Sequence, residues 1–141
     1  MRQETDTFYT FVVGGGAASA AFLLGGFDRL VVALAICMAA DYLSGILVGF
    51  FREKKISSER AFHGLLKKGA MILLVIVSHQ LDVVAGSTDS QFMRNAMIMF
   101  LIAVEGISLV ENMGRLGVPV PAFLRQRFEQ MKNDNDKEAK F

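Results

Sequence analysis

Four stretches of this chain are almost free of charge, and short polar stretches separate them. Phe8 to Phe27 carries no charged residue in twenty positions, and Leu30 to Phe51 carries one, Asp41, in twenty-two. Gly69 to Val84 and Phe92 to Val110 follow, with sixteen and nineteen residues. A helix rises about 1.5 Å per residue, so about twenty apolar residues cross the roughly 30 Å hydrocarbon layer of a bilayer. The pattern predicts an all-α membrane protein with three to four hydrophobic helices, at 8–27, 30–51, 69–84 and 92–110. Two further stretches, 57–68 and 121–132, place apolar residues on one side at helical spacing and read as amphipathic helices at the membrane surface. Residues 1–7 read as a frayed polar N-terminus, and 133–141 as a charged, disordered tail.

The first segment is glycine-rich at Gly14-Gly15-Gly16, which favours close helix approach in lipid and weakens a helix in water. It follows Glu4 and Asp6 rather than a basic stretch, so it reads as a spanning or deeply inserted helix and not as a cleavable signal. In the second segment Ala33, Cys37, Asp41, Gly45 and Gly49 recur every fourth residue, forming one stripe of small or polar side chains. In the last, Glu105, Ser108 and Asn112 form a second polar stripe. No lysine or arginine stands near the middle of a span, so Asp41 and Glu105 are expected to lack a basic partner at depth. They would be protonated, hydrogen-bonded to neighbouring helices, or facing water. Helix-packing hydrogen bonds explain both carboxylates as well as a water-lined or oligomer-forming face does. His79 and Asp82 read as an interface pair, and Arg94 as an end residue reaching the headgroups.

Charge fixes orientation. Of fifteen basic residues, twelve lie between Arg52 and Lys68 or after Gly114. Arg52, Lys54, Lys55, Arg60, Lys67 and Lys68 make the connection between the second and third segments basic, which holds it in the cytoplasm. The basic C-terminal part belongs on the same side, and two spans separate the two regions. Ser57 or Ser58 caps the helix that follows the loop. Gly114 and Gly117, with Pro119 and Pro121, end the last span.

Composition excludes several classes. The single cysteine, Cys37, permits no internal disulfide and reads as a packing residue. No catalytic constellation, cofactor-binding loop or metal-ligand spacing occurs, and basic residues do not interleave with aromatics as in a nucleic-acid surface. An enzyme is therefore not expected.

The chain resembles the toxin-secretion/phage-lysis holins, the bacteriophage holin family, over roughly residues 22 to 128. The resemblance rests on Gly25-Gly26-Phe27-Asp28, on Asp41-Tyr42-Leu43-Ser44-Gly45, on Phe62-His63-Gly64-Leu65-Leu66-Lys67-Lys68, and most specifically on the ending Glu111-Asn112-Met113-Gly114-Arg115-Leu116-Gly117-Val118-Pro119-Val120-Pro121. Phe27 replaces a common tryptophan and Ser44 a common threonine. The resemblance implies a multi-pass protein of the bacterial cytoplasmic (inner) membrane with its C-terminus inside. It implies assembly of many copies in the lipid bilayer and pore formation that releases an endolysin, for host cell lysis, or a large toxin. In this reading the two polar stripes form the oligomer or pore face. A small proton-coupled multidrug-type exporter and a passive membrane scaffold also fit the coarse hydropathy pattern; passage of a folded, enzyme-sized reporter separates both from a holin.

Overall fold

The computed structural model of the chain describes residues 2–52 and 57–138; Lys54 and Lys55 lie outside them. Among the described residues the regular elements are five helices: α1 (Arg2–Leu24), α2 (Arg29–Phe51), α3 (Ser58–Val84), α4 (Phe92–Leu116) and α5 (Ala122–Glu138). Among the described residues four stretches are long and apolar enough to cross a membrane: Asp6–Leu24 within α1, then α2, α3 and α4 in full. The all-helical membrane class is thus borne out, with four candidate spans.

The helices are longer than the apolar runs. Residues 2–7 continue α1 rather than fraying. The stretches 57–68 and 69–84, expected as a surface helix and a separate span, form the single 27-residue α3. Gly69 alone weakens a helix by about 1 kcal/mol relative to alanine, too little to break one that is well formed on both sides. Ser57 is its N-cap, accepting from the Arg60 N–H at 3.4 Å. At the end of α4, Gly114 stays helical and only Gly117 terminates. Its φ is +85°, and Val118 N–H donates to Met113 O while Gly117 N–H donates to Gly114 O, both at 3.0 Å. This is the paired closure of a Schellman turn, which needs a left-handed residue. Residues 133–138, expected as disordered tail, are the end of α5.

α2 and α4 run parallel and α3 runs antiparallel to both. α2 packs most extensively on α4, and α4 also packs on α5 and α3. The core lies where three helices meet: Leu34 and Met38 from α2, Met71 and Val75 from α3, and Ile98, Leu101 and Ile102 from α4. α1 stands at the edge, touching α3 lightly, and none of its candidate span is buried. A Cβ built on Gly14, Gly15 or Gly16 meets nothing within 4 Å, so the close approach expected of these glycines does not occur within the described chain. Large apolar side chains such as Phe11, Phe22, Ile36 and Leu73 point outward on α1, α2 and α3. In a membrane their natural surroundings are acyl chains or other copies.

A polar knot ties one end of the bundle. Arg94 was expected at the headgroups but is wholly buried. Its guanidinium donates to Asp28 Oδ2 at 2.7 Å, Asn95 Oδ1 at 2.9 Å, Gln91 Oε1 and Gly26 O at 3.1 Å, and also to Leu24 O. Five donors in a rigid fork suit a site where a loop offers several oxygens at once. Asp82, also wholly buried, is less a partner of His79 than a cap for α4. It accepts from Met93 N–H at 3.0 Å and Arg94 N–H at 2.9 Å. The residue before α4, Gln91, is left-handed and provides no side-chain cap, so Asp82 satisfies those amides from another helix. His79 closes the knot from α3: a Cβ on Gly25, at φ +75°, would lie 2.6 Å from its Nδ1.

Asp28 also caps α2, accepting from Val31 N–H at 3.0 Å. Its pKa is held below the usual 3.8, mainly by the hydrogen bond from Arg94, with burial opposing. A carboxylate depressed in the folded state stabilises it above the unfolded pKa, and this is lost as pH falls through the folded value. Acidification below 3.8 is therefore expected to loosen the α1–α2 turn. Limited proteolysis near Gly26 in detergent micelles should rise there, and Asp28→Asn, which keeps a capping side chain, should show raised cleavage already at neutral pH.

Candidate functional site

The second polar cluster lies deep in the bundle, where α2, α3 and α4 each contribute a charged side chain. Asp41 is ten residues from the end of α2, about 15 Å along the axis. Its neighbour across the bundle is Lys68 of α3. Lys68 Nζ donates to Asp41 Oδ2 at 2.9 Å and to Glu105 Oε2 of α4. Side-chain exposure is 12% for Lys68, 16% for Asp41 and 3% for Glu105, so the three charges are largely withdrawn from solvent. The expectation that both carboxylates lack a basic partner is overturned. It arose from placing Lys68 on a separate surface helix; as part of continuous α3, its long side chain reaches inward to the depth of Asp41.

Further hydrogen bonds complete the cluster. Asn112 Nδ2 donates to Asp41 Oδ1 at 3.2 Å and to Ser44 Oγ at 3.0 Å, and Ser44 Oγ donates to Asp41 O at 2.8 Å. An ion pair taken out of water is tolerable only when its remaining lone pairs and protons find partners; here the Asn112 amide supplies one to Asp41 and is itself held by the Ser44 hydroxyl. One cation serves two carboxylates, so with all three ionised the cluster carries a net charge of −1.

Beside it opens a cavity of about 320 Å³ lined by residues of all three helices. The two stripes found in the sequence meet here: Asp41, Gly45 and Gly49 from α2, and Glu105, Ser108 and Asn112 from α4. Gly45 faces Asn112, and a Cβ there would stand at an ordinary contact distance of 3.8 Å from its Nδ2. Ala33 and Cys37 do not join them; they pack against the apolar core. Arg60, Lys67 and Arg115 also line the cavity. Arg52 Nε donates to Arg115 O at 2.7 Å, joining the end of α2 to the end of α4. Of the ending that runs from Glu111 to Pro121, Asn112 secures the cluster, Gly117 makes the turn, and Pro119 and Pro121 fall in the connection to α5. Glu111 is exposed. Tyr42 donates to Ala61 O at 3.3 Å and covers Gly64, holding the start of α3 against α2.

The model of the bacteriophage holin family matches residues 18–133, which take in the last turns of α1, all of α2 to α4 and most of α5. The chain belongs to the bacteriophage holin family. Among similar proteins, the probable holin of Bacillus phage phi105 is 29% identical over 99 residues, 70% of this chain and 71% of that protein. An uncharacterised Listeria monocytogenes protein is 39% identical over 121 residues, covering 85% of this chain and 84% of its own. An uncharacterised 14.9 kDa protein of the nagH 3′ region in Clostridium perfringens is 32% identical over 112 residues, covering 79% and 83%. No solved structure matches. The family match contains the whole charged cluster and the cavity beside it, while the glycine run of α1 lies outside it.

Removing Lys68 tests what the cluster does for the fold. Lys68→Met leaves Asp41 and Glu105 facing each other without a cation, and breaking a buried pair by deleting one partner is destabilising by about 3–5 kcal/mol. The variant is expected to unfold at lower denaturant in micelles, as read by circular dichroism. Lys68→Arg, which keeps the charge, should retain most of the stability.

Proposed function

We propose that this protein is a holin that gathers in many copies in the bacterial cytoplasmic membrane and opens lesions there. Through them a cytoplasmic endolysin, or in a secretion locus a large toxin, leaves the cell. The observation that carries this reading is the family match over residues 18–133. The relative from phage phi105, named a probable holin, points the same way.

Physical features are consistent with such a role. Four helices can span the bilayer, and α1 is held to the rest by few contacts. The outward faces of α1, α2 and α3 are apolar, so single copies are at home in lipid and can also meet one another. With Lys68 between Asp41 and Glu105, a single copy satisfies its deep charges internally and can accumulate without leaking. We place the Arg52–Lys68 connection and the α4–α5 turn on the cytoplasmic side, following their lysines and arginines. Arg52 bonding to Arg115 O brings those two regions to one end of the bundle, as that topology requires. We assign Asp41, Gly45, Gly49, Glu105, Ser108 and Asn112, which line the cavity, to the polar surface that association can hydrate.

An exporter would need a carboxylate free to exchange protons and substrate. Engagement of both carboxylates by Lys68 disfavours that reading.

Inducible expression in bacteria decides the matter. Expression alone should collapse the membrane potential abruptly after a delay. Co-expression of a cytoplasmic endolysin lacking its own export signal should turn that collapse into lysis, with release of a folded cytoplasmic reporter enzyme. Growth with an intact potential, or lysis independent of this protein, would overturn the proposal; loss of potential without reporter release would favour a small channel or exporter.

A further inference from the structure

The position of α5 is at odds with its composition. After the left-handed Gly117 and the two prolines, the chain reverses and α5 runs back along α4. Phe128 lies over Gly106 so closely that a Cβ there would sit 2.5 Å from the ring. Gly106 is ten residues before the end of α4, roughly 15 Å in from the turn. Met131, further along α5, packs against the apolar core. Phe128 is thus level with the Lys68 cluster, and Met131 beyond it reaches the apolar core between α2, α3 and α4.

Yet α5 carries four basic and four acidic residues in seventeen. Arg125 and Glu129, paired at 3.0 Å, are both about half exposed, and the other charged side chains described on α5 face outward too. Acyl chains cannot surround such a surface, because ionised groups in hydrocarbon are strongly disfavoured. The docked position is thus compatible only with water beside α4.

We propose that α5 is the water-facing wall of the open lesion. Docked on α4 through Phe128 and Met131, it turns its charged side to the lumen. While the membrane is closed, α5 swings out about residues 117–121 and lies at the interface, with Phe123 and Leu124 toward the acyl chains. Its equal numbers of acidic and basic residues give the wall no net charge, which suits passage selected by size rather than by sign. This inference rests on the holin reading and adds to it which surface meets the water.

A distance measurement tests it. In a Cys37→Ala background, spin labels are attached at Met99→Cys on α4 and Asp134→Cys on α5, both exposed positions. The 106–128 contact puts them nearly level when α5 is docked, roughly 10–20 Å apart. A right-angle swing at the turn separates them by roughly 35 Å. The full-length protein is reconstituted into vesicles of phosphatidylethanolamine and phosphatidylglycerol holding a fluorescent dextran. At low density, without release, the long distance is expected; as release begins, the short distance should replace it. Gly106→Leu, which fills the space under Phe128, should keep the long distance and slow release about tenfold. Should that variant misfold, the pair Arg127→Leu and Lys132→Leu strips charge from α5 without touching Phe128, and release should fall similarly. Dextran escaping while the long distance persists, or release at the normal rate in the charge-stripped protein, would overturn the assignment of α5 and leave the holin reading intact. No release from wild-type vesicles at any density would defeat both.

Discussion

Three helices of this protein share one partly buried ammonium group. Lys68 lies between Asp41 on α2 and Glu105 on α4, and α3 brings it there. The arrangement is demanding because each carboxylate is far from either end of its helix. In hydrocarbon an unpaired carboxylate is disfavoured on any scale, so the three helices must keep a relative register that preserves both contacts. The apolar core then forms around the same meeting of helices. A slide of one residue, about 1.5 Å, would break the Asn112 contact with Asp41, which already stands at 3.2 Å.

The bundle is fastened twice by different means. At one end Arg94 collects carbonyl and carboxylate oxygens from the α1–α2 turn, while Asp82 caps α4 from α3. Deeper in, the Lys68 cluster joins α2, α3 and α4. Between the two lies a core of Leu, Ile, Val and Met. Within lipid such a core gains little from exclusion of water, since acyl chains are as apolar as leucine. Specific polar ties therefore carry more of the register than they would in a soluble bundle. They also mark which helices can leave: α1, tied chiefly by its last turn and the residues just after it, and α5, held by apolar contacts, have fewer such constraints than α2 to α4.

Much of this was legible in the sequence. Apolar block lengths gave the spanning helices, and the four-residue recurrence from Ala33 to Gly49 and the Glu105–Ser108–Asn112 spacing gave two faces, parts of which meet at one cavity. What escaped was pairing across helices. Lys68 follows Lys67 at the edge of an apolar block, and a dilysine in that place is usually an interface anchor. Only the continuity of α3 through Gly69 lets its side chain turn inward. Arg94 escaped for a related reason: proximity to the end of an apolar block suggests headgroups, whereas the turn containing Gly25 and Gly26 folds over it and supplies oxygens. The signal available was a count: Asp28, Gln91 and Asn95 all cluster near helix ends, an excess of acceptors that one arginine can satisfy. The α5 fold-back had a signal too, in the Gly117 stop followed by prolines, but a turn announces a reversal without saying what the returning helix will touch.

That last contact exposes a tension that a single chain cannot relieve by itself. α4 must accommodate lipid, the Lys68 cluster and the ring of Phe128 along one length, and α5 brings charged side chains beside it while α1, α2 and α3 turn large apolar side chains outward. One side of the bundle asks for acyl chains and another for water, at the same height in the membrane. An isolated copy in a flat bilayer meets only the first demand. In the proposed lesion a ring of copies meets both, with lipid outside and water within, and the boundary between the two environments falls along α4. On that proposal the docked α5 belongs to the assembled state and the released α5 to the solitary one. What crowding changes on this proposal is the solvent on one side of a helix rather than the fold of the rest.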